Sequence, residues 1–144
     1  MTSADRVPPP PPPRGPWLAL LAVLMAGWEP LSFALLASAA LDRLTRYGWP
    51  AIALLACRVG ITGLGIAAGR ALWTLRPHGR AMALAWLGLA AAASVITFVT
   101  PYFPSQRPPG EKTLALLLSL AFDAGWAAYL LVSPRVRALF PRPG

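Results

Sequence analysis

Four apolar runs, each about as long as a hydrocarbon core is thick, take up most of this 144-residue sequence. They cover residues of about 17–41, 50–72, 81–99 and 113–132. A bilayer core of ~30 Å needs about 20 helical residues, and hydrocarbon offers backbone N–H and C=O groups no partner but each other. Each run therefore predicts a membrane-spanning helix. Charged residues make up 12% of the chain, against about 25% in soluble domains, which is too few to cover a core with polar surface. The fold class that follows is all-α: an integral membrane four-helix bundle. Short connections make successive helices antiparallel.

The segments between the runs are too short to fold alone. Residues 1–16 form a proline-dominated tail, and the six prolines from Pro8 to Pro13 favour an extended polyproline II spacer. In the first run Pro30 removes one backbone hydrogen bond and predicts a kink. A signal-peptide reading competes there, because Arg14 precedes the run and Ala37-Ser38-Ala39 resembles a cleavage site. Against it, the run is longer than the 7–15 residues of a signal h-region, and Glu29 interrupts it. Residues 76–80 (RPHGR) make a tight turn, residues 100–112 a proline-stiffened loop, and residues 133–144 a basic tail.

Orientation follows from the basic residues outside the runs or at their ends. Arg6, Arg14, Arg70, Arg76, Arg80, Arg135, Arg137 and Arg142 fall on one side; Arg43, Arg46, Arg107 and Lys112 fall on the other. Eight against four predicts both termini in the cytoplasm. Tyr47, Trp49, Tyr102 and Phe103 would form the outer aromatic belt, with Trp17, Trp73 and Phe140 on the inner one.

Three runs carry an ionisable residue well inside: Glu29, Arg58 and Asp123. A charge at that depth costs at least ~2.5–3.5 kcal/mol, so it persists only with a partner or a purpose. Counting inward from Leu41, Pro50 and Thr113, the three lie twelve, eight and ten residues deep. At 1.5 Å per residue these are depths of about 18, 12 and 15 Å, roughly one layer. On the second run Arg58, Thr62, Gly65 and Gly69 share a helical face, and Gly65-xxx-Gly69 is a small-residue groove for a neighbouring helix. Ser119 and Ala127 flank Asp123 in the same manner, while Ala22, Ala26, Ser32 and Ala40 accompany Glu29. Ser94 and Thr97 offer hydroxyls from the third run, to a neighbour or to their own backbone. Trp28 and Trp126 lie close enough in sequence to donate indole N–H bonds to the carboxylates, although packing is the commoner role at this depth.

Other chemistries find little support. The net charge of +8 comes from basic residues at the ends of apolar runs, not from a stripe, so nucleic-acid binding is not expected. Gly63-x-Gly65 lacks the spacing and the preceding strand of a dinucleotide turn. With one His (His78) and one Cys (Cys57), no metal site, no cofactor, no catalytic constellation and no internal disulfide is expected. Arg, Ala, Gly and Pro are all abundant, as in proteins from high-GC bacteria.

The C-terminal stretch Tyr129-Leu-Leu-Val-Ser133-Pro-Arg135-Val136-Arg137-Ala-Leu139-Phe140 resembles the ending of a family of small four-helix bacterial inner-membrane proteins of unknown function. Tyr129, Ser133, Arg135, Val136 and Phe140 match its pattern, and Leu139 departs where Thr is usual. The Trp17-Leu18 start and the proline in the first run are similar too. The resemblance implies four spans and cytoplasmic termini, and it carries no mechanism. The expectation is a multi-pass inner-membrane protein, non-enzymatic, an accessory or scaffold component with a buried Glu29–Arg58–Asp123 cluster. The alternative is a small proton-coupled transporter or channel using Glu29 or Asp123. Membrane lipids, a second copy or another membrane protein are the expected partners.

Overall fold

The computed structural model describes residues 15–41, 48–99 and 109–140. Six α-helices run through them: α1 (Pro16–Val23), α2 (Glu29–Leu41), α3 (Trp49–Trp73), α4 (Gly79–Val99), α5 (Pro109–Val132) and α6 (Pro134–Leu139). No strand occurs among the described residues. Four stretches are long and apolar enough to cross a membrane: Pro16–Leu35, Trp49–Trp73, Gly79–Val99 and Gly110–Val132. The six prolines, residues 42–47 with Tyr47, and residues 100–108 with Tyr102 and Phe103 lie outside the described residues.

Prolines mark several helix starts, where the missing N–H costs nothing because it has no intrahelical partner. Pro16 and Pro134 open α1 and α6, and Pro50 follows Trp49 at the start of α3. Gly48, just before α3, has φ +62°, a conformation that glycine adopts without a Cβ penalty.

Pro30 is treated differently. Between α1 and α2 the backbone widens into a π-helical turn at Leu24–Trp28, and the Glu29 N–H donates to the Leu24 carbonyl five residues back. Such a bulge absorbs the gap that a proline leaves in the four-residue ladder. Ser32 Oγ donates to the Glu29 carbonyl at 2.9 Å, satisfying another group beside the proline.

Neighbouring helices pack through small residues. A Cβ added to Gly69 would lie 2.8 Å from the Ala22 carbonyl oxygen of α1. One added to Gly65 would lie 2.6 Å from Trp86 Nε1 of α4. The two glycines of one face thus admit two different partners. Ala22, Ala68, Ala83 and Ala90 join Leu18, Leu21, Met25, Leu72, Trp86, Leu87 and Leu130 in one buried cluster. Alanine and glycine at these contacts let backbones come close, as expected where lipid removes any hydrophobic drive between helices. Large apolar side chains such as Leu35, Val59, Val99, Leu114, Leu118 and Val132 instead face outward. They lie on all four of the long apolar helices, as suits a chain solvated by lipid.

The α3–α4 connection is a tight Schellman closure. Arg76 N–H donates to the Ala71 carbonyl at 2.9 Å and Leu75 N–H to Leu72 at 3.3 Å. Leu75 takes the left-handed position (φ 53°) where glycine is usual. Its half-buried side chain packs on the core cluster, which offsets the strain.

Sequence reading makes residues 133–144 a basic tail and puts Phe140 in an aromatic belt; the structure builds a short helix within that stretch and, against the belt, buries Phe140. Residues 134–139 form α6, capped by Ser133, whose Oγ accepts from Val136 N–H. Val136 and Phe140, four residues apart, lie on one face and are buried in the core, with Phe140 only 3% exposed. Two arginines close α5: Arg80 Nε donates to the Leu130 carbonyl and Arg137 Nε to Leu131, both at 3.0 Å. Basic residues are the natural partners of those terminal carbonyls. Phe140→Ala should therefore cost about 3–5 kcal/mol, the usual range for a buried phenylalanine, read as a lowered melting temperature in detergent. An unchanged melt would mean that the segment contributes nothing to the core.

Candidate functional site: an intramembrane polar layer

Glu29 stands where the π turn meets α2. Across that turn it lines the same cavity as the buried Leu21 and Met25. Arg58 lies half-buried on α3, one turn before the buried Thr62 and in line with Gly65 and Gly69. Asp123, on α5, is 8% exposed. The fourth wall is α4, with Trp86, Ala90 and Ser94 all buried.

These elements enclose a cavity of about 210 Å³ that Glu29, Arg58 and Asp123 all line, together with Ser94, Ser119 and Trp86. A second cavity of about 190 Å³ lies between α2 and α3, walled by Glu29, Ser32, Phe33, Arg58 and Thr62. Glu29 and Arg58 border both. The fold thus gathers the three sequence-predicted charges around one space.

Their contacts are not a direct bridge. The guanidinium donates from Nη2 to Thr97 Oγ1 at 3.3 Å, and the Thr97 hydroxyl in turn donates a hydrogen bond to the Ala93 carbonyl at 2.6 Å. Ser119 Oγ donates to Ser94 Oγ at 3.4 Å, joining α5 to α4 in the same layer. Both carboxylates line the same cavity as the guanidinium. Among the described residues, three buried groups have no hydrogen-bond partner: Arg58 Nε, Thr62 Oγ1 and Trp86 Nε1. An unsatisfied buried donor costs about 1–3 kcal/mol. A polar cavity with this volume and these donors has room for several waters at ~30 Å³ each, and each water needs two to four polar partners. The arrangement is chemically a polar pocket with room for water, lined by two carboxylates and one guanidinium. Arginine keeps its proton, so the three side chains carry one excess negative charge when both acids are ionised.

Of the small-residue positions, Thr62 faces this layer, Gly65 seats Trp86 and Gly69 seats the first span. Trp126 packs in an aromatic row, with ring centroids 6.4 Å from Trp17, 6.1 Å from Phe122 and 5.8 Å from Tyr129. Trp28 lines the cavity's edge but is largely exposed. Sequence reasoning missed Trp86, whose place depends on the register between α3 and α4. Cys57 is exposed, and among the described residues no group of three His, Cys, Asp or Glu side chains converges on a metal-sized site.

No protein-family model matches the chain, and neither does any curated protein or solved structure.

Proposed function

We propose that this chain is a multi-pass protein of a bacterial inner membrane, an antiparallel four-helix bundle with both termini in the cytoplasm. It serves as a non-enzymatic accessory or scaffold component. Contacts between successive spans support the antiparallel reading, since residue numbers rise on one helix as they fall on the next. Gly79 meets Ala71, Gly65 meets Trp86, and Arg58 meets Thr97. Arg80 meets Leu130 near one end of α4, and Ser94 meets Ser119 further along. The eight-to-four distribution of basic residues supports the orientation, as do the exposed Trp17 and Trp73 at one end and Trp49 at the other. The C-terminal resemblance points the same way.

The observation that carries the scaffold reading is the pair of hydrogen bonds, Arg58–Thr97 and Ser119–Ser94, linking three spans at one depth. Interhelical polar contacts in membranes average ~0.6 kcal/mol, so their value lies in fixing register more than in raw stability. Partners in this reading are lipids and either a second copy or another membrane protein.

A second reading rests on the cavity itself. Two carboxylates that border a space with room for water, with the guanidinium beside them hydrogen-bonded to Thr97, are the makings of a proton-linked transport site. One experiment separates the two. The scaffold reading expects no proton-linked flux from purified protein in liposomes and full rescue of a deletion phenotype by Asp123→Asn. Flux that Asp123→Asn abolishes, in a variant that still folds, would replace the scaffold reading with transport.

A further inference from the structure

The α3–α4 turn builds a pocket that the polar layer does not use. A cavity of about 530 Å³ opens there, and its polar walls are Arg70, Thr74, Arg76 and His78. Among the described residues, no carboxylate lines it. The Schellman closure at Ala71 and Leu72 fixes the backbone that carries Arg76, so the pocket's shape is set by the turn. Thr74 is held too, since its Oγ1 donates to the Arg70 carbonyl at 2.8 Å. The other arginines nearby are committed elsewhere: Arg80 and Arg137 cap α5. Among the described residues, Arg70 and Arg76 cap no helix end with their side chains.

Arg70 and Thr74 also border a neighbouring cavity of about 250 Å³ between α1 and α3. Its remaining walls, Ala22, Val23, Ala26, Gly69 and Trp73, are apolar. A basic mouth therefore continues into an apolar groove, at the end of a helix long enough to span a bilayer. We propose that the two cavities together hold one anionic phospholipid, its phosphate between Arg70 and Arg76 and an acyl chain along the Ala22–Ala26 groove. Guanidinium groups match phosphate oxygens with paired donors, and basic pockets at membrane level select anionic headgroups. A free phosphate would engage the same arginines, yet it has no use for the groove. The continuity of the two spaces is what favours the lipid. This site rests on the chain being embedded in a membrane, and not on either reading of the polar layer.

The test uses the full chain, purified in detergent, delipidated and exposed to equal amounts of phosphatidylglycerol and phosphatidylcholine, with retained lipid counted by native mass spectrometry. Phosphatidylglycerol should be retained preferentially. Arg70→Gln with Arg76→Gln should weaken that retention by about five-fold per arginine, whereas Arg135→Gln, a basic residue at the same end, should leave it unchanged. Val23→Trp, which fills the groove, should weaken retention of both lipids. Equal retention of the two lipids by the wild-type chain would overturn the site without any variant. So would equal losses from the Arg135 and Arg70/Arg76 variants, which would mean diffuse charge. Displacement of the lipid by millimolar inorganic phosphate, with Val23→Trp silent, would reassign the pocket to a free anion. Failure of the chain to enter liposomes at all would undo the membrane reading itself, a distinct outcome.

Discussion

Replacing Gly69 by leucine should keep the first span from docking on the second and leave little folded protein. The reason is the identity of the obstacle. A Cβ at Gly69 would sit 2.8 Å from the Ala22 carbonyl oxygen and 3.1 Å from the Ala26 backbone nitrogen. Backbone atoms of a helix cannot rotate out of the way as a side chain can. Alanine already forces the two helices apart, and overpacking of this kind costs about 1–3 kcal/mol. The gain in helix propensity over glycine, about 1 kcal/mol, offsets only part of it. Leucine adds three more carbons to the same gap, so for it the sign is not in doubt. Gly65 provides the contrast. Its obstacle is the Trp86 indole, 2.6 Å from an added Cβ. Gly65→Ala should therefore be destabilising alone and substantially rescued by Trp86→Leu, whereas no side-chain truncation should rescue Gly69→Leu. Unfolding of each variant in detergent, followed by circular dichroism against denaturant, reads both effects. If Gly69→Leu unfolds at the wild-type midpoint, the close approach of the first two spans is wrong.

These glycines also mark how far the sequence can be read. Four runs of about twenty apolar residues need no tertiary information, because the bilayer alone dictates helix and length. The structure has four helices of that kind. Gly65 and Gly69 share a face on any helix, but which neighbour each meets depends on how three helices rotate about their axes. Composition carries no trace of that rotation. The same gap hid Trp86, an indole in an apolar run that resembles any other lipid-facing residue until it is placed against Gly65. Local physics was misleading in one place. Arg135 and Arg137 make residues 133–144 look like a charged tail, yet Val136 and Phe140 sit at an i, i+4 spacing that suffices to anchor a short helix. Pro30 was legible as a disturbance but not as a π turn, since a lone proline does not dictate how the ladder closes around it.

Arg58→Met alone should be more damaging than replacing all three charges of the polar layer at once. With Arg58 removed, Glu29 and Asp123 still line one cavity, now without a cation, and Thr97 loses the donor that its hydroxyl accepted. Deleting one member of a buried charge group typically costs 3–5 kcal/mol, because the remaining charge is left uncompensated in a poor solvent. Glu29→Gln, Arg58→Met and Asp123→Asn together remove every formal charge while keeping volume and much of the hydrogen bonding, and such wholesale replacements are often neutral. The expected order of stability is wild type close to the triple variant, with Arg58→Met well below both. That order is strongly non-additive, as coupled groups around one space require. Restoring one element at a time sharpens the point: Asp123→Asn added to Arg58→Met should recover part of the loss, and adding Glu29→Gln should recover more. Midpoints of unfolding in a mild detergent measure the series. Should the single and triple variants unfold together, the three side chains do not sense one another, and the shared cavity is coincidence. Should the triple variant be as unstable as Arg58→Met, the loss belongs to the arginine's own contacts with Thr97 and α4, and the carboxylates are left for a task other than holding the helices together.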